Sequence, residues 1–357
     1  RELAAPHGIY LICDKPWTQN SKADAYEGLH ALGKDKRLDL PADPQLKTDL
    51  LGIRRRLTRS GVSYELAEVK GRSLWSDART RFARNKAAVG GLVVLIAILL
   101  FALLGSFFQA WTYEAIDWKL MGRVAQIGGP SVENGHYFGA DELGRDLYAR
   151  VVQGTGISIM VGVVGSLVAV IVGTLYGATA GFFGGRIDNI MMRTVDVLMS
   201  IPFMFVLILM LVIWGRSITM LFVGIGLISW LDMARIVRGQ TLTIKNKEFV
   251  EAAIAVGVSP FTIILRHIVP NLLGIVVVYA TLLIPGLIMA ESFISFLGLG
   301  VQEPMTSLGA LIQAGSKQML YGAWWQIAFP LFFFLATLFA FTFVGDGLRD
   351  ALDPKDR

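Results

Sequence analysis

Apolar residues in this chain are gathered into runs rather than dispersed. Six stretches contain no Asp, Glu, Lys or Arg: 87–113, 154–185, 197–215, 217–231, 268–290 and 318–345. A helix crosses the hydrocarbon core of a bilayer with about 20 apolar residues. The pattern therefore predicts six transmembrane helices, at about 87–110, 156–183, 197–215, 217–237, 268–290 and 322–345. The fourth run is short, and its helix is expected to continue past Asp232, with Asp232 and Arg235 three residues apart and able to pair on one face. The fold class this predicts is an all-α integral membrane protein.

Features within the runs describe helices that pack and bend. Gly173, Gly177, Gly181 and Gly185 recur every four residues and lay a small-residue stripe along one face, where a second helix can come close. Pro202, Pro285 and Pro330 fall inside or near the ends of three runs, where each removes a backbone donor and can bend its helix.

Composition agrees with lipid as the solvent. The 357 residues are 54% hydrophobic and 17% charged, against roughly 25% charged in soluble domains. A single cysteine, Cys13, excludes an internal disulfide framework and a cysteine-rich zinc site. If the N-terminus is given to the cytoplasm and sides alternate, only six of the 33 Lys and Arg lie outside: Lys119, Arg123, Arg145, Arg150, Arg216 and Lys317. The positive-inside asymmetry then places both termini in the cytoplasm. Residues 54–86 carry ten basic and three acidic side chains just before the first run. That excess suits the anionic cytoplasmic leaflet, and no nucleic-acid partner is expected. Residues 1–86 read as a cytoplasmic N-terminal region, 71–86 being a basic lead-in. Residues 1–70 are polar, hold no apolar core of signal-peptide length and receive no function.

Signatures of catalysis are nearly absent. There is no HExxH, CxxC or GxSxG pattern. His7, His30, His136 and His267 are scattered without metal-ligand spacing, so no metal is expected. GLHALGKD at 28–35 fits a phosphate loop only until its last position, where Asp35 replaces the hydroxyl that would meet magnesium and would repel phosphate. The chain itself is expected to bind no cofactor, and any ATP would be hydrolysed by another chain. The span interiors also lack the acidic and basic groups of ion-coupled carriers. Asp232, Glu291 and Asp346 sit at run ends.

The loop at 238–267 is the most informative segment. EFVEAAIAVG at 248–257 has the pattern of a short amphipathic helix, with Ala252, Ala253 and Ala255 keeping its surface thin and Gly257 placed as a C-terminal cap. Ser259 and Pro260 then supply an N-cap and first helical position, so a second helix begins at once. Pro270 marks the start of the fifth span. The pattern predicts two short helices at a sharp angle, with Glu251 at the tip. They either insert into a groove on another protein or rest on the headgroups.

Glu251, Ala252, Ala253, Gly257 and Pro270 resemble the EAA loop of ABC-importer membrane subunits. His267 and Val269 depart from the general Ile and Leu positions, but RHIVPN at 266–271 is similar to the variant in the oligopeptide and dipeptide branch. FGADELGRD at 138–146, GFFGGRID at 181–188, WLDMARIVRGQ at 230–240, ESFISFLGLGVQEP at 291–304 and GDGLRDALDPKDR at 345–357 resemble the same branch, most closely its C-type permeases. The likeness covers about residues 71–357.

The resemblance implies a type I ABC importer permease fold with 87–357 as the permease domain, in a bacterial plasma membrane. It implies four kinds of partner: a homologous second permease, two cytoplasmic ATPases using ATP and magnesium, an extracytoplasmic peptide-binding protein, and membrane lipid. Glu251, Ala252, Ala253, Gly257, Ser259 and Pro270 would then belong to the coupling loop seated on an ATPase. Asp141, Glu142, Arg145 and Asp146 would form a docking rim for the binding protein, or else cap and pair within their own loop. Glu291 would be a gate or path residue, or a buried structural hydrogen bond. The substrate implied is an oligopeptide; a dipeptide, nickel chelate or opine importer of the same branch would use a similar permease. A non-transporting scaffold is the rival from another class.

Overall fold

The computed structural model describes residues 53–58, 61–66 and 74–352. The chain divides into Arg1–Ser73 and Leu74–Arg357. Within the first unit β1 (Ile53–Thr58) and β2 (Gly61–Leu66) pair antiparallel, Ile53 opposite Leu66 and Thr58 opposite Gly61. The all-helical expectation did not include this hairpin, although Val62, Tyr64 and Leu66 carry the period-two signal of a strand. Cys13, His7, His30 and the phosphate-loop-like 28–35 lie outside the described residues.

The described part of the second unit is helical apart from three isolated β-bridges, Ile116–Arg145, Ser131–His136 and Ala140–Asp146. It opens with α1 (Leu74–Arg84) and α2 (Lys86–Leu104), separated by Asn85, whose side chain caps α2 by accepting from the amides of Ala87 and Ala88 at 3.1 and 3.2 Å. A long loop holding α3 (Val124–Ile127) leads to α4 (Leu147–Phe183). At 37 residues α4 is about 55 Å long, well beyond a ~30 Å hydrocarbon core. Then come α5 (Gly185–Ser200), α6 (Phe203–Trp214), α7 (Ile218–Ile244), α8 (Glu248–Ala255) and α9 (Pro260–Ile263). A π-turn at Ile264–Ile268 joins α9 to α10 (Val269–Phe296), and α11 (Leu308–Gln318) and α12 (Trp325–Leu352) complete the unit.

Among the described residues five helical segments are long and apolar enough to cross a membrane: Lys86–Phe107, α4, α7, Pro260–Phe296 and α12. The count becomes six if α5 and α6 are one broken span, bent by 77°. The third expected span is therefore not a straight helix. Pro202 cannot donate a backbone bond and pushes Ile201 into an extended conformation (φ −85°, ψ 124°), so one helix stops and another starts there. Twelve residues of α6 reach only about 18 Å. In contrast, α10 and α12 run on through Pro285 and Pro330. The second short helix expected after Gly257 is also different: α9 runs through the π-turn into α10, so only α8 stands apart.

The small-residue stripe builds a close helix pair, α4 running parallel to α7. A Cβ on Gly173 would lie 2.6 Å from Met233 Cβ, and one on Gly181 would lie 2.8 Å from Thr241 Cβ. At Gly177 it would overlap the carbonyl oxygen of Ala234. Gly185 is not part of this contact; it opens α5 with φ +54°. Lys245 Nζ donates to the Gly181 carbonyl at 3.0 Å, placing a cation on the negative end of α4. On another face α4 meets α10 antiparallel, with Ser166 Oγ donating to the Ala280 carbonyl at 2.8 Å. α12 closes against α2, where Gly91 and Gly347 let the backbones approach.

Candidate functional site

The helix α8 is held by one face only. Val250 and Ala253 are buried in an apolar cluster with Ile244, Ile263, Ile264, Ile268 and Leu272. Its C-terminus closes in a Schellman arrangement. Gly257, at φ +82°, donates to the Ile254 carbonyl at 3.0 Å, and Val258 donates to the Ala253 carbonyl at 3.0 Å. A side chain with a Cβ resists that left-handed backbone, which is the physical demand for glycine at 257. Ser259 then caps α9, its Oγ accepting from the Thr262 amide at 3.4 Å. Pro270 lies in the first turn of α10, just after the π-turn that locally breaks the regular hydrogen-bond ladder.

What α8 leaves outside is an apolar surface ringed by charge. Phe249, Ala252, Ile254, Ala255, Val256 and, on α9, Phe261 are exposed, as are Glu248 and Glu251. Val256 is 84% exposed. Apolar side chains bared this way on a polar-rimmed protrusion suit contact with a protein groove or with the membrane surface. The two alanines of the motif have opposite roles: Ala252 faces outward, whereas Ala253 belongs to the chain's own core.

At the opposite end of the bundle the expected docking rim is largely internal. Asp141, Arg145 and Asp146 are buried, and only Glu142 is exposed. Asp141 accepts from the amides of Leu143 and Arg145 at 2.9 and 2.8 Å and from Arg145 Nε at 2.7 Å. Asp146, not Asp141, caps α4, accepting from the Ala149 amide at 2.8 Å while pairing with His136 Nδ1 at 2.9 Å. Glu142 accepts from Gln318 Nε2 at 2.7 Å. These residues staple the long loop to α4 and to the 300s segment. Sequence reading missed two members. Glu303 accepts from Arg145 at 2.8 Å, and the Arg145 guanidinium holds its carboxyl below the usual range. Arg150 is buried with Nε 3.4 Å from Asp141.

Glu291 is fully buried near the same end of α10. Its carboxylate accepts from Ser158 Oγ at 3.0 Å, Ser292 Oγ at 3.2 Å and Ser295 Oγ at 2.6 Å. Ser158 Oγ in turn accepts from the Leu308 amide at 3.2 Å, so one acid ties α4, α10 and the start of α11. In this chain Glu291 is enclosed on all sides and serves as a structural hub.

Two ion pairs fasten α5 to α7. Arg238 grips both oxygens of Asp188 at 2.9 and 2.6 Å, and Arg235 reaches Asp196 at 2.7 Å. The pairing expected between Asp232 and Arg235 does not form; Arg235 instead reaches across to Asp196 on another helix. Both partners lie in motifs already singled out or beside them, but nothing along one strand of sequence couples positions 39 and 50 residues apart.

A bundle of five or six apolar spans with one short helix standing apart defines a multi-pass membrane protein. The chain belongs to the family described as the binding-protein-dependent transport system inner membrane component, matched over residues 152–357. The family described as the N-terminal TM domain of oligopeptide transport permease C matches residues 73–123. It is thus a multi-pass inner-membrane protein. The chain is 53% identical over 293 residues to the oligopeptide transport system permease protein OppC of Haemophilus influenzae, covering 82% of this chain and 92% of that one. It is 55% identical over 293 residues to OppC of Escherichia coli K12, covering 82% and 95%. It is 43% identical over 285 residues to the dipeptide transport system permease protein DppC of Bacillus subtilis, covering 80% and 87%. Among solved structures, a chain of the inward-facing MetNI methionine ABC transporter is 22% identical with a TM-score of 0.46, covering 57% of this chain and 96% of its own.

Proposed function

We propose that this chain is the permease subunit of an ATP-driven importer of oligopeptides, forming half of the translocation pore and docking one ATPase. The observation that carries the reading is α8, seated by Val250 and Ala253 and presenting Phe249, Ala252 and Ile254 outward. A short helix clamped by its own core moves with the bundle, so a partner that pushes it moves α7 and α10. The 53–55% identity to oligopeptide permeases over four fifths of the chain supports the substrate class. The positive-inside asymmetry puts α8 and both termini in the cytoplasm. Nucleotide and magnesium are then handled by the ATPases, with a homologous second permease and an extracytoplasmic binding protein completing the assembly.

The test is reconstitution in vesicles. With its second permease, ATPases and loaded binding protein, the chain accumulates a labelled oligopeptide only when ATP is present. Alone it accumulates none. Uptake by the lone chain, or ATP turnover indifferent to the loaded binding protein, would sink the reading. The 43% identity to a dipeptide permease favours dipeptides as the second substrate class, resolved by competition among peptides of increasing length.

A further inference from the structure

The end of the bundle opposite α8 carries large apolar side chains that no described residue covers. Between α11 and α12 a 3₁₀ turn, Met319–Tyr321, leaves Leu320 91% and Tyr321 71% exposed, with Met319 and Trp324 exposed beside them. The tip is held rigidly. Gly322 turns the chain at φ +89°, Ala323 and Trp325 are buried, and Trp325 Nε1 and Gln326 Nε2 donate to the Ala140 carbonyl at 3.1 and 3.0 Å. The apolar side chains of the turn are therefore fixed outside, where water is a poor neighbour.

Two helices give the depth of this tip. Lys86 and Asp346 stand at the charged ends of α2 and α12, and about 20 helical residues cross a ~30 Å hydrocarbon core. Counted from those charges, the core ends near Ser106 on α2 and near Gln326 on α12. Packing sets both counts at one level. Gly91 lies against Phe343 and Phe101 stacks on Phe333 at 4.3 Å, so the antiparallel register brings Phe107 and Phe108 to the height of Gln326. α11 lies near that height at both ends, with Gly309 packed on Ser292 of α10 and Gly315 on the Gln326 backbone. The turn that follows it thus stays at the hydrocarbon edge. Phe107 is 81% exposed there, and Trp324 heads the exposed face of α12 formed by Phe332, Leu335, Phe339 and Phe343.

We propose that the segment from Met319 to Trp324 is a lipid anchor, embedded among the headgroups of the leaflet opposite α8. Its composition fits that zone. Residues 318–345 carry no charge, and Tyr321 and Trp324 join an apolar ring to a polar atom, the combination that settles between hydrocarbon and headgroups. Lys317 is exposed, has no ion-pair partner among the described residues and stands one turn before Tyr321, within reach of lipid phosphates. Leu320 supplies the apolar wedge, and Phe107 and Phe108 a second contact on the neighbouring helix. Through Ala140 the anchor is joined to the loop of Asp141 and Arg145, so the bilayer surface sets the height of that loop. The anchor rests on the membrane spans and is independent of what the protein transports.

The experiment places a nitrobenzoxadiazole fluorophore on single cysteines of the full chain carrying Cys13→Ser, in phosphatidylethanolamine–phosphatidylglycerol vesicles, alone and assembled with its partner subunits. Leu320→Cys, with Tyr321→Cys as a second position, is expected to lose most of its emission to lipids bearing a nitroxide at the headgroup or upper acyl chain, and little to aqueous iodide. Phe332→Cys, on the exposed face of α12 inside the core, should lose its emission to a nitroxide deep in the chain. Glu133→Cys, exposed on the long loop, should lose it to iodide alone. A Leu320 probe that behaves like the Glu133 probe would overturn the anchor. So would lipid quenching that disappears on assembly or on addition of the binding protein, since a protein would then cover the tip.

Discussion

Ser158 on α4 donates its hydroxyl to Glu291 on α10 at 3.0 Å, across 133 residues of sequence. That bond makes a buried acid the fastening of two long helices. A carboxyl group is accommodated in an apolar bundle where hydroxyls replace water around it, and Ser158, Ser292 and Ser295 do so.

Glu291→Ala removes the acceptor from three buried hydroxyls and leaves a cavity. It should destabilise the purified subunit by about 2–4 kcal/mol, read as a lower Tm in detergent. Glu291→Gln keeps the shape and one acceptor oxygen and should lose less. An alanine variant as stable as wild type would remove the hub.

Tryptophan at the two motif alanines separates surface from core. Ala253→Trp overpacks the cluster around Ile263 and Ile268 and should cost about 1–3 kcal/mol of stability before any partner is present. Ala252→Trp should leave Tm unchanged and abolish peptide-stimulated ATP turnover in the assembled importer. The pair separates the two roles because Ala253 is buried and Ala252 is exposed.

The glycine stripe predicts opposite outcomes on one helix. Gly177→Ala places a methyl against the Ala234 carbonyl and should lower stability by about 1–3 kcal/mol. Gly156→Ala on the same helix meets open space and should be neutral or slightly stabilising. Thermal denaturation of both variants, with equal losses, would refute the α4–α7 contact.

Glu303 gives a pH dependence with a definite sign. Its folded-state carboxyl titrates below the ordinary value of 4.5 because Arg145 favours the charged form. The stability it contributes is complete above about pH 4.5 and is lost as pH falls through the depressed folded value. Glu303→Gln should therefore lower Tm at neutral pH, and the two proteins should converge in acid. A constant difference at all pH values would assign the effect to packing.

A double-mutant cycle on Asp188 and Arg238 should return a coupling of about 1–2 kcal/mol, from a bidentate pair on a partly buried interface. Zero coupling would leave α5 without its staple.

Much of this protein could be read along its chain. The apolar runs placed the membrane helices because transfer into hydrocarbon adds up residue by residue. Local grammar located the turn after α8, since Gly257, Ser259 and Pro260 each answer a backbone demand within four residues of themselves. The break at Ile201–Pro202 was signalled by a proline, but only the folded chain shows it as a 77° bend while Pro285 and Pro330 are absorbed within helices. Which of Ala252 and Ala253 faces outward depends on where Ile263 and Ile268 return to meet α8. The fates of Asp141, Arg145 and Asp146 depend on Glu303, 158 residues beyond Arg145, and on His136. Sequence by itself determined solvent, helix number to within the broken span, and the family; tertiary structure alone decided which polar group meets which. Hydrophobicity is a property a residue carries with it, whereas burial, an ion pair or a shared hydroxyl exists only once distant helices have chosen each other's faces.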